Sequence, residues 1–175
     1  VGADASVFDT WRIGLTAGFS RSKFHNWSSE GDSDNYHFDG YVGTKVGDFV
    51  FKSGLVYSRH DIETERKIRA TSILGSTFSE SLAVDYNGNS LQTFGEVGYE
   101  INVGSSSFEP YAGLAHVRVK TDAFSETGGE AALSANSAKQ SVTFSTIGLK
   151  AKTEVKASDT PVVLYSGIGW RHAFG

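Results

Sequence analysis

Ser58, His60 and Asp61 fall close together, and Ser166 and His172 share a later segment, so the chain holds the residue types of a nucleophile, a base and an orienting carboxylate. Neither grouping makes a triad by spacing, because a triad is defined by geometry in the folded chain. Both are read as chance adjacency, and an enzyme acting on lipid would require Ser166 and His172 in contact. The chain has 5 histidines, none paired at i, i+2 or i, i+4, and no cysteine, so no metal site, cofactor, thiolate nucleophile or disulfide is expected. Asn26, Trp27 and Ser28 fit a glycan-acceptor pattern that is common by chance and is set aside. The acids Asp39, Glu96, Glu100 and Glu109 remain, and each is expected to pair with Arg or Lys rather than to serve as a general acid or base.

Strands must position these groups. Trp11, Ile13, Leu15, Ala17 and Phe19 alternate with Arg12, Gly14, Thr16, Gly18 and Ser20, which is the period of a β-strand with one apolar face. Phe49, Phe51, Leu55 and Tyr57 repeat the pattern. Six further segments follow it, at 1–7, 35–45, 91–102, 108–120, 141–154 and 162–174. About eight strands are thus expected, most of them near or above the roughly 9 to 11 residues that cross a bilayer when tilted. Short turn-like connections at 8–10, 46–48, 104–107 and 156–161 alternate with long polar ones at 23–34, 63–90 and 121–140. That rhythm puts all turns at one end and all loops at the other, as in an outer-membrane barrel. The long stretches, which include Ser28 to Asp34 with its SSEGDSD run, are expected to be solvated loops.

An all-β, antiparallel, up-and-down transmembrane barrel is the fold class this predicts. On its lipid side the aromatics Trp11, Phe49, Phe51, Tyr99 and Phe108 mark one interface, and Phe19, Phe38, Tyr57, Trp170 and Phe174 the other. The opposite, lumen-facing side collects Arg12, His37, Asp39, Lys52, Glu96, Glu100, Glu109, Lys150 and Arg171, interspersed with glycines. So many charges cannot form a dry core; they must pair, meet water or touch an inserted segment.

The composition agrees. With 39% hydrophobic and 21% charged residues in 175, the chain fits one domain rather than a disordered array. A mean hydropathy of -0.24 and the lack of any long apolar run exclude a membrane-spanning helix but not a barrel, which shows lipid only every second side chain. The formal net charge of -4, with Lys and Arg scattered among acids, offers no stripe for nucleic acid. The opening residues VGADASVF have no basic or apolar stretch of the kind a signal peptide carries, so the chain is expected to be a mature protein or an internal piece.

Six stretches in order then resemble autotransporter β-domains: GADASVFDTWRIGLTAGFSRS, GDSDNYHFDGYVGTKVG, FGEVGYEI, FEPYAGLAHV, TFSTIGLKA and GIGWRHAFG. The resemblance covers most of the chain. It implies a type V secretion role in the bacterial outer membrane, with a twelve-stranded barrel, an α-helical linker through its pore and a covalently linked passenger. Outer-membrane lipids and the outer-membrane assembly machinery are the other implied partners. Residues 1–175 then form a single domain lacking the linker helix, the first strand and the last strands of the family pattern. Glu96 and Glu109 match inward acidic positions of its motifs. No catalytic residue is carried over. The alternative is a complete small eight-stranded barrel with a structural or adhesive role, in which the first and last strands would pair.

Overall fold

Alternating side chains and the absence of long apolar runs leave the backbone one way to satisfy its hydrogen bonds at membrane depth, the antiparallel ladder. A computed structural model describes residues 1–8, 10–71, 77–157 and 160–175 and consists of strands and their connections. The strands are β1 (Gly2–Val7), β2 (Trp11–His25), β3 (Ser29–Val46), β4 (Phe49–Thr71), β5 (Thr77–Tyr99), β6 (Ile101–Val103), β7 (Ser106–Thr121), β8 (Phe124–Ser125), β9 (Ser134–Ala135), β10 (Ala138–Ala157) and β11 (Thr160–Phe174). The main sheet runs β1-β2-β3-β4-β5-β7-β10-β11, each strand antiparallel to the next, with β6 added beside β7; β8 and β9 form a small hairpin of their own. Every expected strand is present. The expected segment 91–102 is broken at Glu100, whose amide donates to the Asp48 carbonyl (2.8 Å).

At one end the described connections include two-residue turns. Gly47 and Gly104 open two of them with φ of 61° and 60°, the glycine-first pattern whose twist suits a tight hairpin. Position 9 and residues 158–159, inside two other expected turns, lie outside the described residues, as do 72–76.

The opposite end differs from expectation. Residues 23–25, 29–34, 63–71 and 77–90 are continuations of strands rather than loops. β2 and β3 stay paired up to His25 opposite Glu30, and β4 and β5 up to Thr71 opposite Thr77. Strand periodicity persists there, but its polarity inverts. On β4 the apolar series Phe49, Phe51, Leu55, Tyr57 is followed on the same face by Arg59, Asp61, Glu63 and Glu65, while the other face now holds Ile62 and, opposite on β5, Leu82 and Val84. The extension thus has the polarity of a water-exposed hairpin with a small core. Leu82 is fully buried in it.

Below that level the burial is inside out. On β7, Pro110, Ala112, Leu114 and His116 are exposed while Glu109, Tyr111, Gly113 and Ala115, alternating with them, are half-buried. Leu15 is 68% and Leu114 60% exposed, and Ile13, Leu55 and Val97 are exposed too. Half-buried polar side chains opposite exposed apolar ones mean a sheet curved with its polar face concave. A soluble sandwich would bury the apolar set instead.

The sheet is open. Among the described residues β1 pairs only with β2 and β11 only with β10, and the two do not pair with each other as the alternative of a closed eight-stranded barrel requires. Its two terminal strands sit at opposite edges, each with one row of backbone N–H and C=O groups unpaired.

Candidate functional site

Register carries residues far apart in sequence into single rows, because directly opposed residues of an antiparallel pair share a face. One row reads Ser6, Arg12, Gly43, Lys52, Glu96, Gly113, Thr146, Arg171 across the eight main strands. All of it lies on the concave face. The next row toward the long hairpins places Tyr41 opposite Gly14 and Gly54, and Phe94 opposite Gly54. A Cβ on Gly14 would meet the Tyr41 ring at 2.2 Å, and one on Gly54 the Phe94 ring at 2.6 Å. These glycines let aromatic rings lie flat on the wall.

The centre of the concave face is a charge cluster of two cations and two anions. Lys52 Nζ lies 3.3 Å from Glu96 Oε1 and 3.2 Å from Glu109 Oε1, and Lys150 Nζ contacts the same two atoms, that on Glu109 at 3.2 Å. Lys150 also sits 4.1 Å above the Tyr111 ring. Lys52 reaches Glu109 across the intervening β5, and Lys150 reaches Glu96 across β7. These contacts use Oε1 of each carboxylate and leave both Oε2 atoms free of them. The glutamates are about one-fifth exposed, too buried to stand alone and well neutralised by the lysines.

Around this cluster the remaining expected residues of the concave face fall into separate pairs. Arg12 bonds Asp4, Lys45 holds Glu100 at 2.7 Å, and Arg171 lies over the Phe144 ring at 5.8 Å. Asp39 accepts from Thr16 through Oδ2 (2.7 Å), while its Oδ1 is buried with no hydrogen-bond partner. His37 lies between Ser20 Oγ (3.0 Å) and Ser58 Oγ (2.8 Å), and His60 between Asn35 Oδ1 (2.6 Å) and Ser90 Oγ (3.3 Å). The Ser58, His60, Asp61 grouping is therefore dissolved: Ser58 belongs to His37, and Asp61 faces the other side with Arg59. Ser166 and His172 share a face of β11 but stand six residues apart, about 20 Å of strand. No group of His, Cys, Asp and Glu able to hold a metal occurs among the described residues.

The convex face carries the other expected set. Trp11, Phe51, Val97, Ala112, Ile147 and Trp170 form a row of it. Phe49 packs edge-on against Tyr99 (5.0 Å) at the short-turn end, where Phe108 also lies, and Phe19 packs on Tyr36 (5.3 Å) toward the long-hairpin end, with Phe38 and Tyr57 one row below. Phe174 and Trp170 flank His172 in a stack. On β4 the apolar stretch from Phe49 to Tyr57 is about 27 Å of strand, or about 21 Å of depth at the usual barrel tilt.

Sequence reasoning missed a third component, a folded segment over the concave face at the long-hairpin end. Residues 122–137, within the solvated loop expected at 121–140, carry β8 and β9 and lie against β4 and β5. Phe124 stacks on Tyr86 at 4.9 Å, and Thr127 exchanges backbone hydrogen bonds with Ala83, both 2.9 Å. Arg66 makes a two-pronged contact with Glu126 (3.1 and 2.6 Å), and the Glu80 carboxylate accepts from the Glu130 and Ala131 amides, both 2.9 Å. Glu126 is held below the ordinary carboxylate range by Arg66, with partial desolvation opposing. The alternation of Leu82, Val84 and Tyr86 was the available signal.

An inside-out sheet with a charged concave wall and aromatic convex ends agrees with what comparison with known proteins returns. The model of the family described as "Autotransporter beta-domain" matches residues 1–175. The chain belongs to this family. An extracellular serine protease of Serratia marcescens is 31% identical over 176 residues, which take in all of this chain and 16% of the relative. The chain thus spans about a sixth of the curated relatives it matches. Two solved autotransporter structures share the fold. The translocator domain of autotransporter NalP from Neisseria meningitidis superposes with a TM-score of 0.74 at 21% identity, covering 99% of this chain and 58% of that one. The β-domain of the Bordetella autotransporter BrkA gives 0.65 at 18% identity, covering 99% and 66%. As an autotransporter β-domain, the chain is placed in the bacterial outer membrane and is a translocator of the type V kind.

Proposed function

We propose that this β-domain supplies eight strands of the wall of a wider barrel, anchored by its convex aromatic bands, whose concave face carries a linked passenger and its linker helix outward. The single observation that carries this reading is the Lys52, Glu96, Glu109, Lys150 cluster on the concave face. It is neutral as a set, so it repels neither sign of charge. The free Oε2 atoms of its glutamates and the unpartnered Oδ1 of Asp39 can accept from N–H groups of a chain lying in the pore. Such contacts are individually modest, which suits a wall that must hold a segment and release it. Outer-membrane lipids and the outer-membrane assembly machinery are the domain's other partners in this reading.

The domain performs no catalysis itself. Both ring nitrogens of His37 are taken by serines, with no carboxylate to orient the ring. Carrying Glu96→Gln and Glu109→Gln together should slow appearance of the parent's passenger at the cell surface, measured by protease accessibility on intact cells, while the amount of heat-resistant folded barrel stays the same. Unchanged display would remove the cluster from the translocation step.

A further inference from the structure

On the convex face, the strand positions after Leu114 on β7 are His116, Arg118 and Lys120, and Lys139 on β10 stands directly opposite Lys120. His116 Nδ1 meets Thr143 Oγ1 at 3.0 Å. Arg118 and Lys120 lie about 10 and 15 Å of depth beyond Leu114, the level at which a bilayer gives way to its headgroups. Lys120 is paired with Asp122 (2.7 Å), but Arg118 and Lys139 have no carboxylate within salt-bridge distance among the described residues, and both are exposed. Two lysines directly opposite each other on one face repel, and nothing in the sheet requires them there. Below them a groove of about 890 Å³ opens on the convex side, lined by Phe51, Val97, Ala112, Leu114 and Ile147. At its floor Gly95 presents no side chain, and a Cβ there would touch nothing.

Cations placed just beyond an apolar groove match a ligand with acyl chains below and phosphate above. The geometry points to a binding site for a phosphorylated lipid headgroup of the leaflet on the long-hairpin side, its phosphates between Arg118, Lys120 and Lys139 and its chains along the Gly95 groove. The site rests on the outer-membrane placement and adds to it a specific lipid contact. A bound phosphate turns the Lys120–Lys139 repulsion into a shared attraction, which gives the two lysines a reason to face each other.

This predicts a change of sign. The full parent protein is reconstituted in phosphatidylcholine bilayers with and without lipid A, a bis-phosphorylated glycolipid, and its Tm is read from tryptophan fluorescence. Lys139→Gln should raise Tm in phosphatidylcholine alone, by relieving repulsion, and lower it once lipid A is present. Arg118→Gln with Lys139→Gln should retain about thirtyfold less lipid A after delipidation, on the scale expected for removing two cations beside an anionic headgroup layer. The convex cation Lys67, farther along the extension, serves as control, and Lys67→Gln should leave retention as it was. The same sign of Tm change in both bilayers overturns the site. So does equal retention by the double variant, equal effect of dephosphorylated lipid A, or a stabilisation that inorganic phosphate alone reproduces. Passenger display by these variants reports separately on the translocator role.

Discussion

Leu15 and Thr16 are chain neighbours that the pleat sends to opposite faces of β2. Leu15 is exposed on the convex side, and Thr16 donates to Asp39 on the concave side. Leu15→Arg should destabilise the inserted barrel by roughly 2 to 4 kcal/mol, the cost of a cation at midplane depth. Thr16→Arg should cost far less, since Asp39 is in place to receive the guanidinium. Urea midpoints of refolding into vesicles measure both, and equal losses would refute the facing. At this scale the sequence was informative wherever period two alone decides. Arg12, Lys52, Glu96 and Arg171 sorted to one face and Trp11, Phe51, Ile13 and Leu55 to the other without any coordinates. Partner choice was not legible. Lys52 meets Glu109 and Lys150 meets Glu96 by reaching over a strand, and His37 rather than His60 takes Ser58. Each depends on register and curvature, which no spacing along the chain encodes.

Among the elements, the strands of the membrane band could be read and the hairpin extensions could not, for one physical reason. A lipid-facing strand and a water-facing strand keep the same alternation but swap which set is apolar. At Tyr57 and Arg59 the convex face passes from ring to charge, so a search for a continuous apolar face stops there although the ladder continues to Thr71. Leu82, Val84 and Tyr86 then look like stray apolar residues in a polar stretch. They are the floor on which residues 122–137 dock. One of the contacts that hold the docked segment is the ion pair of Arg66 with Glu126. Because Arg66 lowers its folded-state pKa, the contact stabilises the docked segment above the unfolded carboxylate range and is lost as pH falls through the lower folded value. Acidification below about 4, where free glutamates protonate, should begin to loosen the segment. Glu126→Gln should loosen it at neutral pH and flatten the acid response. Amide exchange at residues 124–135 measures this. Protection that is the same at neutral and acid pH would show that the Phe124–Tyr86 stack and the backbone bridge to Ala83 hold the segment alone.

For the whole molecule the deciding feature is the pair of open edges. A sheet that leaves N–H and C=O groups unpaired at hydrocarbon depth forfeits several kcal/mol for each unsatisfied group, so β1 and β11 need partners wherever the band sits in a membrane. They do not have each other. In register with Trp11 on β2 lies Trp170 on β11, yet the apolar convex series on β11 continues toward the turn end through Ile168 to Leu164, below the level at which β2 begins. The band drifts along the register from one edge to the other, as tilted strands require, and the span covered by these eight strands is 58% of the NalP chain and 66% of the BrkA chain they superpose on. Additional strands between the two edges satisfy both observations. Cysteines introduced at Ala3 or Ala5 on β1 and at Ile168 or Trp170 on β11, in the parent protein assembled in outer membranes, should therefore fail to cross-link with any short reagent. A pair at Ala5 and Ile13, opposed on β1 and β2, should cross-link readily. A bridge between the terminal strands would mean that the eight close on themselves, leaving a pore too narrow for a helix and filled by the side chains of Lys52, Glu96 and their neighbours.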